Sequence, residues 1–147
     1  MKSGPELRRI ADNAFSKFIL SRDDKCITCG KTYHLEAGHY IPRGNMATRY
    51  NFYNVHAQCI ECNRFLSGNN KMYRKNLVEK YGEGLVEALE DEGRKIERWD
   101  ILKYIEIILQ YKEFLPKTFS KELLNEMTDM AREAGIPYGV DEEGENG

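Results

Sequence analysis

Four cysteines stand in two pairs, Cys26-Ile27-Thr28-Cys29 and Cys59-Ile60-Glu61-Cys62, and they are all the cysteines of this 147-residue chain. Each pair has the two-residue gap with which neighbouring thiolates grip one tetrahedral zinc. His39 lies between the pairs, and Asn63 follows the second directly. A neutral imidazole, with a pKa of about 6.5, can take a proton from water. An Asn oxygen can bind Mg²⁺. Together they suit phosphodiester hydrolysis, in which the cation offsets charge on the phosphate and the His aims the water. Read singly, His39 fits a core histidine and Asn63 a hydrogen bond to the knuckle; the cysteine frame favours catalysis for the two together. Four thiolates leave zinc no open position, so that metal is expected to be structural. Two disulfides or four buried thiols are the alternatives, and a reducing compartment disfavours the disulfides.

The elements that must position these groups can be read around them. The 29 residues between Cys29 and Cys59 suffice for a β-hairpin, with short strand-like runs at 35–41 and 54–58. Cys59 to Leu66 should curl into a short helix around the zinc. Upstream, Ser3-Gly4-Pro5-Glu6 reads as a capping box opening a helix that ends near Ser21. Its apolar face is Leu7, Ile10, Ala11, Ala14, Phe15 and Phe18. Downstream, helices are expected at 70–81, with Gly82 as C-cap, and at 83–91. Asp100 should cap a helix over 101–114, stopped by Pro116. Ser120 should cap a last helix closed by Gly135 and Pro137. The tail from Val140 has the acidic, Gly-rich composition of a disordered segment.

The expected fold class is therefore α+β. A small treble-clef or ββα-metal zinc core with an N-terminal helix should occupy residues 1–82. A helical extension should follow over 83–139, and a disordered acidic tail over 140–147.

Net charge is −2, but it is unevenly spread. Residues 1–80 carry 14 Lys and Arg against 7 Asp and Glu, and residues 81–147 carry 8 against 17. A basic half around a metal site points to a polyanionic partner. Arg43, Arg49, Arg64, Lys71, Arg74 and Lys75 flank the site, and some should contact phosphates. Tyr40, Tyr50 and Tyr53 interleave with them and either stack on exposed bases or fill the hairpin's shallow core. His34 reads as surface-exposed and receives no role. No apolar run approaches the ~20 residues that span a bilayer, and Met1–Pro5 lacks the apolar core of a signal peptide. A cytoplasmic protein without membrane contact is expected. No phosphate-binding Gly loop is present, which argues against an ATPase, and no cysteine is left over as a nucleophile.

Ala37-Gly38-His39-Tyr40, with Asn54-Val55-His56-Ala57-Gln58-Cys59-Ile60-Glu61-Cys62-Asn63-Arg64-Phe65-Leu66-Ser67-Gly68-Asn69, resembles the NinG/Rap recombination endonucleases of lambda-type phages. Ala11–Ser16 and Tyr73–Leu77 are similar too, and the likeness extends over residues 7–82. It implies a divalent-metal-dependent, HNH-like endonuclease acting on branched recombination intermediates, Holliday junctions and D-loops included. By that match His39 is the general base, Asn63 a Mg²⁺ or Mn²⁺ ligand, and Cys26, Cys29, Cys59 and Cys62 the zinc ligands. Asn54 matches the middle Asn of the HNH pattern and either belongs to the catalytic set or braces the His-bearing loop. One departure stands out: Gly38 occupies the place where many HNH sites carry a metal-binding Asp. Asn63, water and substrate phosphates could hold the cation alone. Otherwise His56 is the first choice for the missing donor and Glu36 the second.

Junction cleavage needs two cuts, so a homodimer is expected, in host-cell cytoplasm if the chain is phage-encoded. Phage or host recombination proteins are further expected partners. The competing function is a non-catalytic zinc module that binds DNA or a recombination protein. A zinc-based redox switch ranks last, because it leaves His39 and Asn63 without a task.

Overall fold

A computed structural model describes residues 2–137. The tail expected to be disordered lies outside the described residues. The chain divides into two compact units, one formed by Ile19–Arg98 and the other by the residues before and after it. Residues 83–98 thus group with the hairpin, and the first 18 residues group with the C-terminal helices. That partition differs from the break expected at residue 82.

In the terminal unit, α1 (Gly4–Arg22) begins where Ser3 Oγ accepts from the Glu6 amide at 3.3 Å. Leu7, Ala11, Ala14 and Phe15 bury the expected face. After Arg98 the chain forms a helix over Ile101–Gln110, capped by the Asp100 carboxylate on the Lys103 amide at 3.1 Å. This helix ends four residues earlier than expected; Lys112–Phe114 tightens into a 3₁₀ turn instead. There the Tyr111 ring packs on Phe15 and Phe18, at 5.3 and 4.8 Å between centroids. The final helix, Lys121–Ala134, opens on Ser120 Oγ and closes on Gly135, whose φ of +69° favours glycine.

In the central unit, two strands form one antiparallel hairpin: β1 (Leu35–His39) and β2 (Val55–Cys59), paired Leu35↔Cys59, Glu36↔Gln58, Gly38↔His56 and His39↔Val55. The end of α1 is tied to β2. Arg22 donates to the carbonyls of Phe52 and Val55 at 2.9 and 2.6 Å, and Asp23 accepts from the Ala57 amide at 2.9 Å. Beyond β2, Glu61–Phe65 forms one wide helical turn in which the Leu66 amide reaches the Glu61 carbonyl, five residues back. It is shorter and wider than the Cys59–Leu66 helix expected. The Cys62 amide points at Cys59 Sγ, 3.4 Å away, and so leaves the regular ladder. Helix α2 (Asn70–Tyr81) and helix α3 (Glu83–Glu92) follow, joined at Gly82 with φ +94°. Tyr73, Leu77 and Val86 bury the seam between them, and Tyr40 packs against it. No helix among the described residues is long and apolar enough to cross a membrane. The fold class is α+β, one small hairpin among mostly helices.

Candidate metal centre and active site

The four cysteine sulfurs converge, every pair within 4.8 Å. Zn–S bonds of about 2.3 Å in a tetrahedron require sulfurs about 3.8 Å apart. Cys29 and Cys59 Sγ already stand 3.6 Å apart. Each pair folds the same way: the Cys29 amide donates to Cys26 Sγ and the Cys62 amide to Cys59 Sγ, both at 3.4 Å. Gly30, with φ +82°, turns the chain out of the first pair. Burial disfavours the Cys26 thiolate. The Thr28 hydroxyl and the Cys59, Cys29 and Thr28 amides outweigh it and bring the thiol down to about 6. Burial and the neighbouring thiols push Cys29 up to about 12 and raise Cys62. Cys26 therefore ionises readily, while Cys29 and Cys62 keep their protons unless a cation lies among the sulfurs. The cluster could hold a metal such as zinc.

His39 ends β1, and its Nε2 lies 2.9 Å from the Arg49 carbonyl. A carbonyl only accepts, so Nε2 carries the proton and Nδ1 is the basic nitrogen of the neutral ring. The loop that carries this carbonyl is braced in turn. Fully buried Asn54 donates to the carbonyls of Ile41 and Thr48, at 3.0 and 3.1 Å, and accepts from the Ile41 amide at 2.8 Å. All three hydrogen bonds bind the loop between the strands, so Asn54 braces that loop.

Asn63 leaves the wide turn and donates to Glu36 Oε1 at 2.7 Å. Arg64 grips the same carboxylate with two bonds, Nε to Oε1 at 2.8 Å and Nη2 to Oε2 at 2.7 Å. The Arg64 guanidinium and then the Asn63 amide hold the Glu36 carboxyl below the usual carboxylate range against its partial burial. Glu36, the second choice from sequence, is thus the acid that meets Asn63.

His56, the first choice, is corrected. Its side chain is 1% exposed, and its Nε2 lies 2.8 Å from the Tyr81 hydroxyl. The Tyr73 hydroxyl lies on the other side, 3.5 Å from Nδ1. Burial, with Arg22 nearby, pushes its pKa down to about 3. It is a neutral core histidine, with both ring nitrogens facing tyrosine hydroxyls.

The basic set divides. Arg43, Lys71 and Lys75 are exposed. Arg64 is exposed but paired with Glu36. Arg49 is 8% exposed and donates to the Arg43 carbonyl at 2.7 Å, so it stiffens the loop instead of facing a phosphate. Arg74 is clasped by Glu83 and Glu90 at 2.8 and 3.0 Å. Tyr40 reaches Glu90 with its hydroxyl, at 2.5 Å, and Tyr50 is buried, so both fill core; Tyr53 stays exposed. His34 is exposed, as expected.

A family model described as Bacteriophage Lambda NinG protein matches residues 1–122. Protein ninG of Escherichia phage lambda is 34% identical over 126 residues, covering 82% of this chain and 59% of its own. Protein ninG of Escherichia phage 933W is 32% identical over 126 residues, with 82% and 60% covered. For Salmonella phage P22 the figures are 34% over 110 residues, with 71% and 54% covered. The chain thus spans little more than half the length of these relatives. No solved structure matches. The matched stretch takes in both cysteine pairs, His39, Asn54 and Asn63, and the chain belongs to the NinG family.

Proposed function

We propose that this protein is a metal-dependent, HNH-like DNA endonuclease with a treble-clef zinc core, cutting phosphodiester bonds in branched recombination intermediates. Holliday junctions and D-loops are the substrates proposed, with a homodimer delivering the paired cuts. Two observations on the hairpin support the reading: an imidazole whose tautomer is fixed, and a carboxylate that meets the amide following the second cysteine pair. His39 is held through Nε2 by the Arg49 carbonyl, and Glu36 meets Asn63 at 2.7 Å.

A carboxylate and an amide open to water suit a hard divalent cation such as Mg²⁺ or Mn²⁺. Asn63 would present Oδ1 by a half-turn of its amide, and Arg64 would release Glu36 and turn to a phosphate. A bound cation supplies charge neutralisation at the phosphate and the leaving oxygen. His39 Nδ1 takes the proton of the attacking water, while Nε2 keeps its hydrogen bond to the loop. Zinc on the four cysteines holds β2 and the Asn63 turn in register with β1. Arg43, Lys71 and Lys75 carry the exposed positive charge available to the backbone of DNA.

The test is a labelled four-way junction incubated with zinc-loaded protein and Mg²⁺ or Mn²⁺. His39→Ala should cut about 100-fold more slowly or worse while binding the junction as before. Equal cutting by His39→Ala removes the catalytic assignment. Binding without cutting by either protein makes this a non-catalytic DNA-binding zinc module.

A further inference from the structure

Gln58 lies in β2, fully buried, as the cross-strand partner of Glu36. Its Nε2 donates to the Gly68 carbonyl at 2.7 Å. Because that partner can only accept, the amide is fixed with Oε1 on the opposite side. Oε1 has no hydrogen-bond partner, and it is the one buried side-chain polar atom left so among the described residues. Buried acceptors of this kind call for a donor, a water or an ion.

Gly38 explains how that oxygen is accommodated. A Cβ built at Gly38 would fall 2.1 Å from Gln58 Oε1 and 2.8 Å from its Cβ. The backbone of β1 at residue 38 therefore makes room for the Gln58 amide. Gly38 is also where the sequence lacks a carboxylate.

Glu36, Gly38 and Gln58 share one face of the hairpin, because cross-strand partners point the same way. Asn63 comes down on Glu36 at that face. That contact is made by the Asn63 NH2, and with the amide turned Oδ1 would take its position beside Glu36, an oxygen pair of the kind Mg²⁺ binds.

We propose that Gln58 Oε1 is a third protein oxygen for the divalent cation seated by Glu36 and Asn63, taking the place of a side chain at residue 38. The inference rests on the cation seat of the proposed function and adds its inner donor. Glu36 and Asn63 are half-buried and form the outer side. Gln58 supplies a neutral oxygen, so once Arg64 turns away from Glu36 the seat carries a single negative charge.

The test uses the zinc-loaded full chain, ¹⁵N-labelled, titrated with Mg²⁺ and observed through side-chain amide resonances. The Asn63 and Gln58 amides should move together and saturate at one midpoint. In parallel, Gln58→Met should weaken Mn²⁺ binding roughly tenfold or more, read as free Mn²⁺ by electron paramagnetic resonance, with zinc content unchanged. Gln58→Glu, which keeps an oxygen there, should bind at least as tightly as wild type. If the Asn63 amide moves and the Gln58 amide does not, the orphaned oxygen serves an internal water and the proposal is overturned, with the cation seat intact. If neither amide moves and no Mn²⁺ binds, the seat itself is wrong and both readings fall.

Discussion

Replacing Asn54 by Ala separates a residue that braces a loop from one that does chemistry. The side chain is fully buried and makes three hydrogen bonds, with the Ile41 amide, the Ile41 carbonyl and the Thr48 carbonyl. Its removal leaves one donor and two acceptors without their partner inside the hairpin loop. At about 1 kcal/mol for each bond lost, the variant should unfold about 3 kcal/mol more easily. With a urea dependence of about 2 kcal/mol per molar, the midpoint should fall by about 1.5 M. Asn54→Asp should do no better, because its second oxygen would face the two carbonyls that Nδ2 now satisfies. The assay is urea unfolding of zinc-loaded protein, followed by intrinsic fluorescence, beside junction cleavage. Slower cleavage in the variant should recover as temperature is lowered and the loop re-forms. A variant as stable as wild type within about 0.5 kcal/mol, yet dead in cleavage at every temperature, would refute the bracing argument and return Asn54 to the chemistry.

Two further outcomes follow from the same geometry. Zinc binding to four thiolates contributes about 10–16 kcal/mol in small domains, against total stabilities of 5–15. Chelation should therefore unfold the hairpin unit, seen as new protease cleavage between residues 23 and 69, and atomic absorption should find one zinc per chain beforehand. His56 gives a pH dependence of definite sign. Its folded pKa is held near 3, below the ordinary ~6.5, so the unfolded chain takes up the proton first. The stability it contributes is complete above about pH 6.5 and is lost as pH falls toward 3. At pH 5 the loss should be on the order of 2 kcal/mol. His56→Gln should be less acid-sensitive than wild type by that amount in unfolding titrations; equal acid sensitivity in the two proteins would place the histidine in water.

What the sequence made legible was whatever is encoded locally. The two-residue gaps announced the sulfur cluster. Asp100, Ser120, Gly82 and Gly135 marked helix ends, because a cap is a contact between residues three or four apart. Asn63 stood out by its place after Cys62. The misreadings all involve contacts across distance in the chain. His56 is the first choice from sequence for the missing donor, yet Tyr73 and Tyr81 come from α2 to enclose it. Arg49 and Arg74 looked like surface cations until a carbonyl in the same loop and acids from α3 claimed them. Gln58 carried no signal at all. Its meaning depends on the register that sets it opposite Glu36 and beside Gly38, and register is a property of two strands together.

The ties between α1 and β2 bear on assembly. A two-stranded sheet has two rims, and each is a template for another chain's strand. Along β2 that rim is closed: the Val55 carbonyl is taken by Arg22, the Ala57 amide by Asp23 and the Ala57 carbonyl by the Ile27 amide. Strand-by-strand association can therefore proceed only along β1, through Leu35, Ala37 and His39. A strand added there would pair with the backbone of His39 and extend the sheet directly beside the candidate base.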